Sequence, residues 1–257
     1  MFRKTLATLA LPILAGASGT AQADPGQHLI DFSSGAGGWE GINPSEPIEG
    51  WGTWIDPAAG SAGPGLHTRV PDSFMVHWSN TTTAVTGNYT ASPSVTIGLD
   101  VNATSIINLF NGLEVTRRLI VELRDHDNTS GGLPYTSVWY DLGTIGAGLG
   151  WQHLAVTIAD TGAAALPAGW GGYGAETEFG DPILPAGTTF ADVLRGVDEI
   201  TFTTAVPGWF YGFTYFDVSL DNIGVSAVPE PATWALQGLG LAALLPLLRR
   251  RRRATRG

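Results

Sequence analysis

Short apolar runs rich in β-branched and aromatic residues recur along the chain, separated by clusters of Gly, Pro, Asn and Asp. They cover residues 28–32, 74–78, 94–101, 119–123, 137–140, 151–158, 199–203 and 213–225. Successive side chains of a strand point to opposite faces, so a half-buried strand needs its apolar residues two apart. The run that starts at Trp151 meets this condition, with Leu154, Val156 and Ile158 on one face. The pattern predicts an all-β sandwich or barrel. One helical signal interrupts it: Thr188 or Thr189 can cap a short helix through Phe190 to Arg195, which Gly196 would end, leading into a strand at 197–203. No repeat of fixed period occurs, which disfavours solenoids and propellers. Residues 161–188 read as a long loop whose aromatic residues argue against simple disorder.

The two ends have a different pattern. Met1-Phe2-Arg3-Lys4 precedes an apolar stretch from Leu6 to Ala17, then Ala21-Gln22-Ala23. A positive start, a short apolar core and an Ala-x-Ala site make a secretory signal peptide, with cleavage expected before Asp24. A permanent anchor is the competing account, but the stretch is short and Pro12 interrupts it. At the other end Val228-Pro229-Glu230-Pro231-Ala232 leads into an apolar segment that closes with Arg249, Arg250, Arg251, Arg252 and Arg253. As a helix, residues 232–248 would reach roughly 25 Å at about 1.5 Å per residue, close to a bilayer core of about 30 Å. The arginines would act as a membrane stop and remain cytoplasmic, leaving the preceding domain outside.

This C-terminus resembles the PEP-CTERM sorting signal of Gram-negative bacteria: a Pro229-Glu230-Pro231 motif, an apolar helix and an arginine cluster, in that order. The resemblance covers about the last thirty residues. It implies recognition by the membrane protease exosortase, after signal peptidase has acted at the other end. It also implies transient inner-membrane anchoring and transfer to the outer surface or an exopolysaccharide matrix. A simple single-span anchor without processing is the alternative. The chain thus divides into a signal peptide (1–23), a β-sandwich ectodomain (24–227) and a sorting tail (228–257), with hydrophobic helical segments at both ends.

A second resemblance spans most of residues 28–226. Asp31-Phe32 followed by Gly37-Gly38-Trp39, a late short helix, and a closing Ser219-Leu220-Asp221-Asn222-Ile223 are similar to galactose-binding-like jelly rolls, the laminin IV type being the nearest. This resemblance implies a jelly-roll β-sandwich of two antiparallel sheets with one short helix. That fold hosts both carbohydrate-binding and purely adhesive modules, so it does not by itself establish sugar binding.

Charge narrows the range of partners. Between Lys4 and Arg249 only five arginines and no lysine oppose all 23 Asp and Glu, a balance of about −18. Such a surface repels nucleic acid and anionic lipid and favours divalent cations. With no Cys in the chain, disulfides, thiolate catalysis and Cys-ligated zinc are excluded.

Candidate chemistry rests on aromatics and carboxylates. An exposed indole can stack on a pyranose face while nearby carboxylates or amides bond its hydroxyls. Trp78, Trp139 and Trp151 lie in strand runs and are expected in the core. Trp170 and Trp209, beside Tyr173 and Tyr211 in Gly/Pro-rich segments, are the candidate ligand platform. Asp125 and Asp127, just after a strand, concentrate oxygen ligands for a structural Ca2+, but Ser130 and Thr136 break the EF-hand pattern and a solvated turn is the simpler account. Asp31, Asp217 and Asp221 form a second candidate calcium set, against which turn caps and edge hydrogen bonds are the plainer reading. No cofactor is required. No His-Glu-x-x-His, Gly-x-Ser-x-Gly or phosphate-binding loop occurs, and no catalytic residue is assigned. Four Asn-x-Ser/Thr matches, at Asn80, Asn88, Asn102 and Asn128, read as surface loops. The expectation is a non-catalytic surface or matrix protein that contributes adhesion or polysaccharide contact. The alternatives are a secreted carbohydrate-active hydrolase, for which two carboxylates would suffice, and a structural matrix protein without glycan binding.

Overall fold

A computed structural model describes residues 27–43 and 49–228. The signal peptide, Pro229-Glu230-Pro231 and the arginine cluster lie outside the described residues, as do both hydrophobic terminal segments. Among the described residues no helix is long and apolar enough to cross a membrane.

Two antiparallel sheets face each other, the arrangement expected of a jelly-roll sandwich. The first contains β1 (Gln27–Ile30), β3 (Gly52–Asp56), β4 (Gly65–Ser73), β6 (Ser94–Asn108), β7 (Leu113–Glu114), β10 (Gln152–Ile158) and β15 (Thr214–Val228). Its order is β10-β6-β15-β4-β3, with β1 also beside β15 and β7 against β6. The second contains β2 (Glu40–Gly41), β5 (His77–Asn80), β8 (Arg117–Asp125), β9 (Thr136–Ile145), β11 (Trp170–Tyr173) and β14 (Glu199–Thr203), in the order β11-β9-β8-β14-β5-β2. A small ribbon pairs β12 (Ala175–Glu176) with β13 (Pro182–Ile183). Because β1 and β15 are bonded to each other, the sandwich closes within residues 27–228.

Alternation builds the core. On β6 Val95, Ile97, Leu99, Val101 and Ala103 are buried; on β15 Phe216, Val218 and Leu220 are buried, then Ile223, Val225 and Ala227. The change from even to odd positions on β15 needs one extra residue. Asn222 sits at the register shift between Asp221 and Gly224 with φ +48°, so a bulge there returns the strand to phase. Trp78, Leu119, Val121, Leu123, Val138, Ile200 and Phe202 meet this layer from the other sheet. Trp78 is fully buried, and its Nε1–H donates to Thr68 Oγ1 at 2.7 Å across the sandwich, while Thr68 Oγ1 lies 3.0 Å from Thr53 Oγ1.

Helix α1 (Phe190–Arg195) forms where the capping signal placed it. Thr189 is the N-cap: its hydroxyl accepts from the Asp192 N–H at 3.1 Å, while the Asp192 carboxylate accepts from the Thr189 N–H at 3.0 Å, and Gly196 is the C-cap. Phe190, Val193 and Leu194 are buried, so the helix plugs one end of the sandwich.

The structure corrects several boundaries. The strand expected at 74–78 begins only at His77, and Phe74 and Met75 sit exposed in the connection from β4. Strands β3 and β4 fall where no run was read, because glycine, proline and charged residues interrupt the apolar pattern. The expected loop at 161–188 contains β11, β12 and β13. Of the four glycosylation-like matches, Asn80 and Asn102 lie in strands, and Asn80 is buried with its Nδ2–H donating to Gly37 O at 3.0 Å.

Two outcomes follow for stability. Thr68→Val keeps the shape but leaves the buried Trp78 N–H without an acceptor, and should cost about 1–3 kcal/mol in urea unfolding. Hydrogen bonds from Thr189 and Arg195 hold the Asp192 carboxyl at about 2 against an ordinary 3.8. A depressed carboxyl stabilises the folded form above the unfolded value and loses that contribution as pH falls through the folded one. The cap's contribution should therefore persist to about pH 4 and vanish by about pH 2, a slope that Asp192→Asn removes in acid-unfolding curves. Asp192 is partly exposed, so solvent screening keeps the effect small.

Candidate functional site

The outer face of the six-stranded sheet is the candidate site. Directly opposed residues of neighbouring strands share a face, so register assigns its floor in three rows. Asp141, Ile120, Thr203 and His77 form the first; Gly171, Trp139, Glu122, Thr201 and Ser79 the second; Tyr173, Ser137, Arg124 and Glu199 the third. Each is an out-facing neighbour of a core residue; Trp139 and Ser137, for instance, flank buried Val138.

Arg124 organises the third row. Its guanidinium reaches Glu122 Oε2 at 2.7 Å and Glu199 Oε1 at 2.9 Å, and stacks 4.5 Å from the centre of the Tyr135 ring. Tyr135 in turn lies 5.1 Å from Tyr173. Ser137 Oγ donates to Glu122 Oε1 at 2.5 Å, Thr201 Oγ1 donates to Glu199 Oε1 at 2.7 Å, and His126 Nε2 lies 2.9 Å from Glu199 Oε2. Burial works against the charged form of Glu199, but the Thr201 hydrogen bond and the Arg124 and His126 charges outweigh it and hold the carboxyl below its ordinary range. His77 moves down, chiefly through burial and secondly through the Arg124 charge, and is neutral at pH 7. Burial raises the Tyr135 phenol to about 12, so it stays protonated.

Two adjoining hollows share Val206 and Pro207 as a wall. One, of about 390 Å³, is bounded by Arg118, Trp139, Asp141, Trp209 and Tyr211; the other, of about 310 Å³, by His77, Glu122, Arg124, Tyr135, Tyr173 and Glu199. The first is aromatic, with Arg118 and Asp141 ion-paired at its side, and the second is polar. Gly171 makes the aromatic half: a Cβ there would stand 2.2 Å from Trp139 Cε2, so only glycine lets the indole lie across β11.

Of the four aromatics expected to form a platform, Tyr173 is in the third row and Tyr211 in the wall, where Arg117 sits 4.5 Å from its ring centre. Trp209 is 67% exposed at the mouth. Trp170 is corrected: it is 9% exposed and packs against Phe190 and Tyr140 at 5.1 and 5.4 Å, so it belongs to the core. Trp139, expected in the core, occupies the cleft instead. The alternation in Ser137-Val138-Trp139 carried that information once Val138 is taken as inward.

The candidate calcium ligands are not brought together. Asp125 is buried and accepts from the N–H groups of Asp127 and Asn128 and from Asn128 Nδ2, which makes it a turn cap. Asp31 accepts from the Ser33 N–H and hydroxyl. Asp217 lies 2.8 Å from His67 Nε2 and 3.0 Å from Arg69 Nε, while Asp221 accepts from the Ser61 N–H and hydroxyl. Among the described residues no three His, Asp or Glu side chains converge as a metal site requires. Asp31, Asp125, Asp217 and Asp221 thus serve as hydrogen-bond acceptors within the fold, while Asp127 is exposed.

No family model and no curated protein matches the sequence. Its fold has solved likenesses. The family 11 carbohydrate-binding module from Clostridium thermocellum, in complex with a β-1,3-1,4-mixed-linked tetrasaccharide, is 13% identical, with 80% of this chain and 98% of that one covered at a TM-score of 0.44. The C-terminal family 22 carbohydrate-binding module of Clostridium thermocellum Xyn10B is 14% identical over 79% and 95%, at 0.39. An exo-β-agarase is 13% identical over 79% of this chain and 25% of its own, at 0.44. At such identities and scores these likenesses assign no function to this chain.

Gly171→Ala should cost about 1–3 kcal/mol by forcing the indole aside. In a Trp139→Ala background the same substitution should cost much less, and a double-mutant cycle on urea midpoints measures the coupling.

Proposed function

We propose that the chain is an exported, non-catalytic protein whose cleft binds an uncharged polysaccharide. One observation carries the reading: an open cleft pairs an aromatic half, built by Trp139, Trp209 and Tyr211, with a polar half of fixed hydrogen-bonding groups. Indole and phenol faces suit the apolar faces of sugar rings, and the adjoining groups suit hydroxyls. Asp141, Glu122 and Glu199 outnumber Arg118 and Arg124 there, so an anionic glycan meets net repulsion.

Binding is favoured over hydrolysis by the ion pairs of the two carboxylates and the charged state of Glu199. A glycosidase needs one carboxylic acid kept protonated as general acid. Here Arg124 bridges Glu122 and Glu199, and Glu199 is held in its charged form. The end signals read from the sequence support export by signal peptidase, transient anchoring in the inner membrane and exosortase-dependent transfer to the outer surface or matrix.

Isothermal titration of residues 24–228 with neutral polysaccharide, including that made by the producing cell, tests the binding. Trp139→Ala and Trp209→Ala should each weaken it by about tenfold or more, and Trp209→Ala should leave the melting temperature unchanged because the side chain is exposed. Affinity unchanged in both variants, or no binding to any neutral glycan, would sink the assignment. For the export route, intact-mass measurement of the cell-surface form should find Asp24 as the first residue. An unprocessed chain in the cytoplasm would rule the route out.

A further inference from the structure

The end of the sandwich from which β15 starts is unusually apolar. Phe74, in the β4–β5 connection, stacks on Phe210 at 5.0 Å and on Phe213 at 4.3 Å, and Phe110 lies 6.3 Å from Phe213. The Leu109 N–H donates to Phe213 O, joining the two loops that carry these rings. The four phenylalanines are exposed by 41%, 73%, 43% and 74% in the order Phe74, Phe210, Phe213, Phe110, with Leu109 at 44% and Met75 at 39%. At roughly 200 Å² per large side chain they present on the order of 600 Å² of contiguous apolar surface. That is the top of the ~300–600 Å² range for the largest patch of a monomer, and two such faces together would bury about 1,200 Å², the lower end of the standard interface range.

Charge says what can cover it. Residues 73–76, 109–113 and 206–213 contain no charged side chain, on a protein that is strongly acidic elsewhere. Two copies repel each other through any acidic face but can meet here without that cost. The first and last described residues, Gln27 and Val228, lie at the far end of β15. β15 begins at Thr214 beside this pole and runs fifteen residues, about 45 Å, to the region where β1 pairs with it.

The geometry points to a homodimer formed pole to pole through Phe74, Phe110, Phe210 and Phe213. Such a dimer leaves Gln27 and Val228 of the two copies at opposite extremes and brings the Trp209 mouths of two clefts toward each other. Phe110 and Phe210 do not line the cleft, so self-association is separable from glycan binding.

Sedimentation velocity of residues 24–228 without polysaccharide, up to about 100 μM, should show a concentration-dependent monomer–dimer equilibrium with no larger species. Phe110→Ser combined with Phe210→Ser should raise the dimer dissociation constant more than about a hundredfold and leave the circular dichroism spectrum unchanged. Phe179→Ser, which removes a side chain 83% exposed and outside the ring contacts of the pole, should leave the dimer intact. A chain monomeric throughout the series overturns the inference, as does a dimer that survives the double substitution. A monomer that floats with phosphatidylcholine vesicles also overturns it, assigning the pole to lipid.

Discussion

Strand alternation fixes both the core and the cleft of this protein, because each residue committed to one face commits its neighbour to the other. Leu119, Val121 and Leu123 must meet the apolar layer of the seven-stranded sheet, which turns Glu122 and Arg124 outward. Glu122 is nevertheless 2% exposed, and a carboxylate so enclosed needs partners. Arg124 and Ser137 supply them, and Arg124 carries the connection on to Glu199. The cleft floor is thus a bonded lattice anchored from below by the core, and it offers a ligand groups whose positions are already set. Preorganisation of this kind lowers the ordering cost of binding.

Elements with a local signal were legible in the sequence. Helix α1 was readable because its caps act through bonds within one turn of it; the sequence left Thr188 and Thr189 both open as the N-cap, and the capping box with Asp192 selects Thr189. The strands at 152–158 and 199–203 were readable from composition and alternation. β11 was not: Trp170-Gly171-Gly172-Tyr173 has the composition of a loop, and only its pairing with β9 makes it a strand. Strands β3 and β4 were hidden for a similar reason, since Gly65, Pro71 and Asp72 break the pattern that their partners impose.

The site was harder to read than the fold, because a tryptophan's face depends on register and register is not local. Trp139 and Trp170 exchanged their expected places. Trp170 turns inward because α1 offers Phe190 beside it, while Trp139 turns outward because Val138 claims the core. The carboxylates carried still less information. Asp125, Asp31, Asp217 and Asp221 look alike as oxygen donors in sequence, yet each is spent on turns or neighbouring side chains. Glu122 and Glu199, far apart in the chain and unmarked by any motif, converge on one guanidinium.

The arginines carry a further consequence. Arg69 pairs with Asp217, Arg118 with Asp141, Arg195 with Asp192 and Arg124 with two glutamates, while Arg117 donates to Thr214 and faces Tyr211. These five are the arginines of the described residues; all lie in strands or in the helix, and no lysine occurs among the described residues. A protease that cuts after basic residues must pull its target into an extended, unpaired conformation. Among the described residues four of the five such bonds lie inside strands, and the fifth, Arg195–Gly196, lies at the C-cap of the helix. The folded sandwich therefore offers trypsin-like enzymes few points of entry, so tryptic cleavage within it reports local opening of strands more than surface exposure.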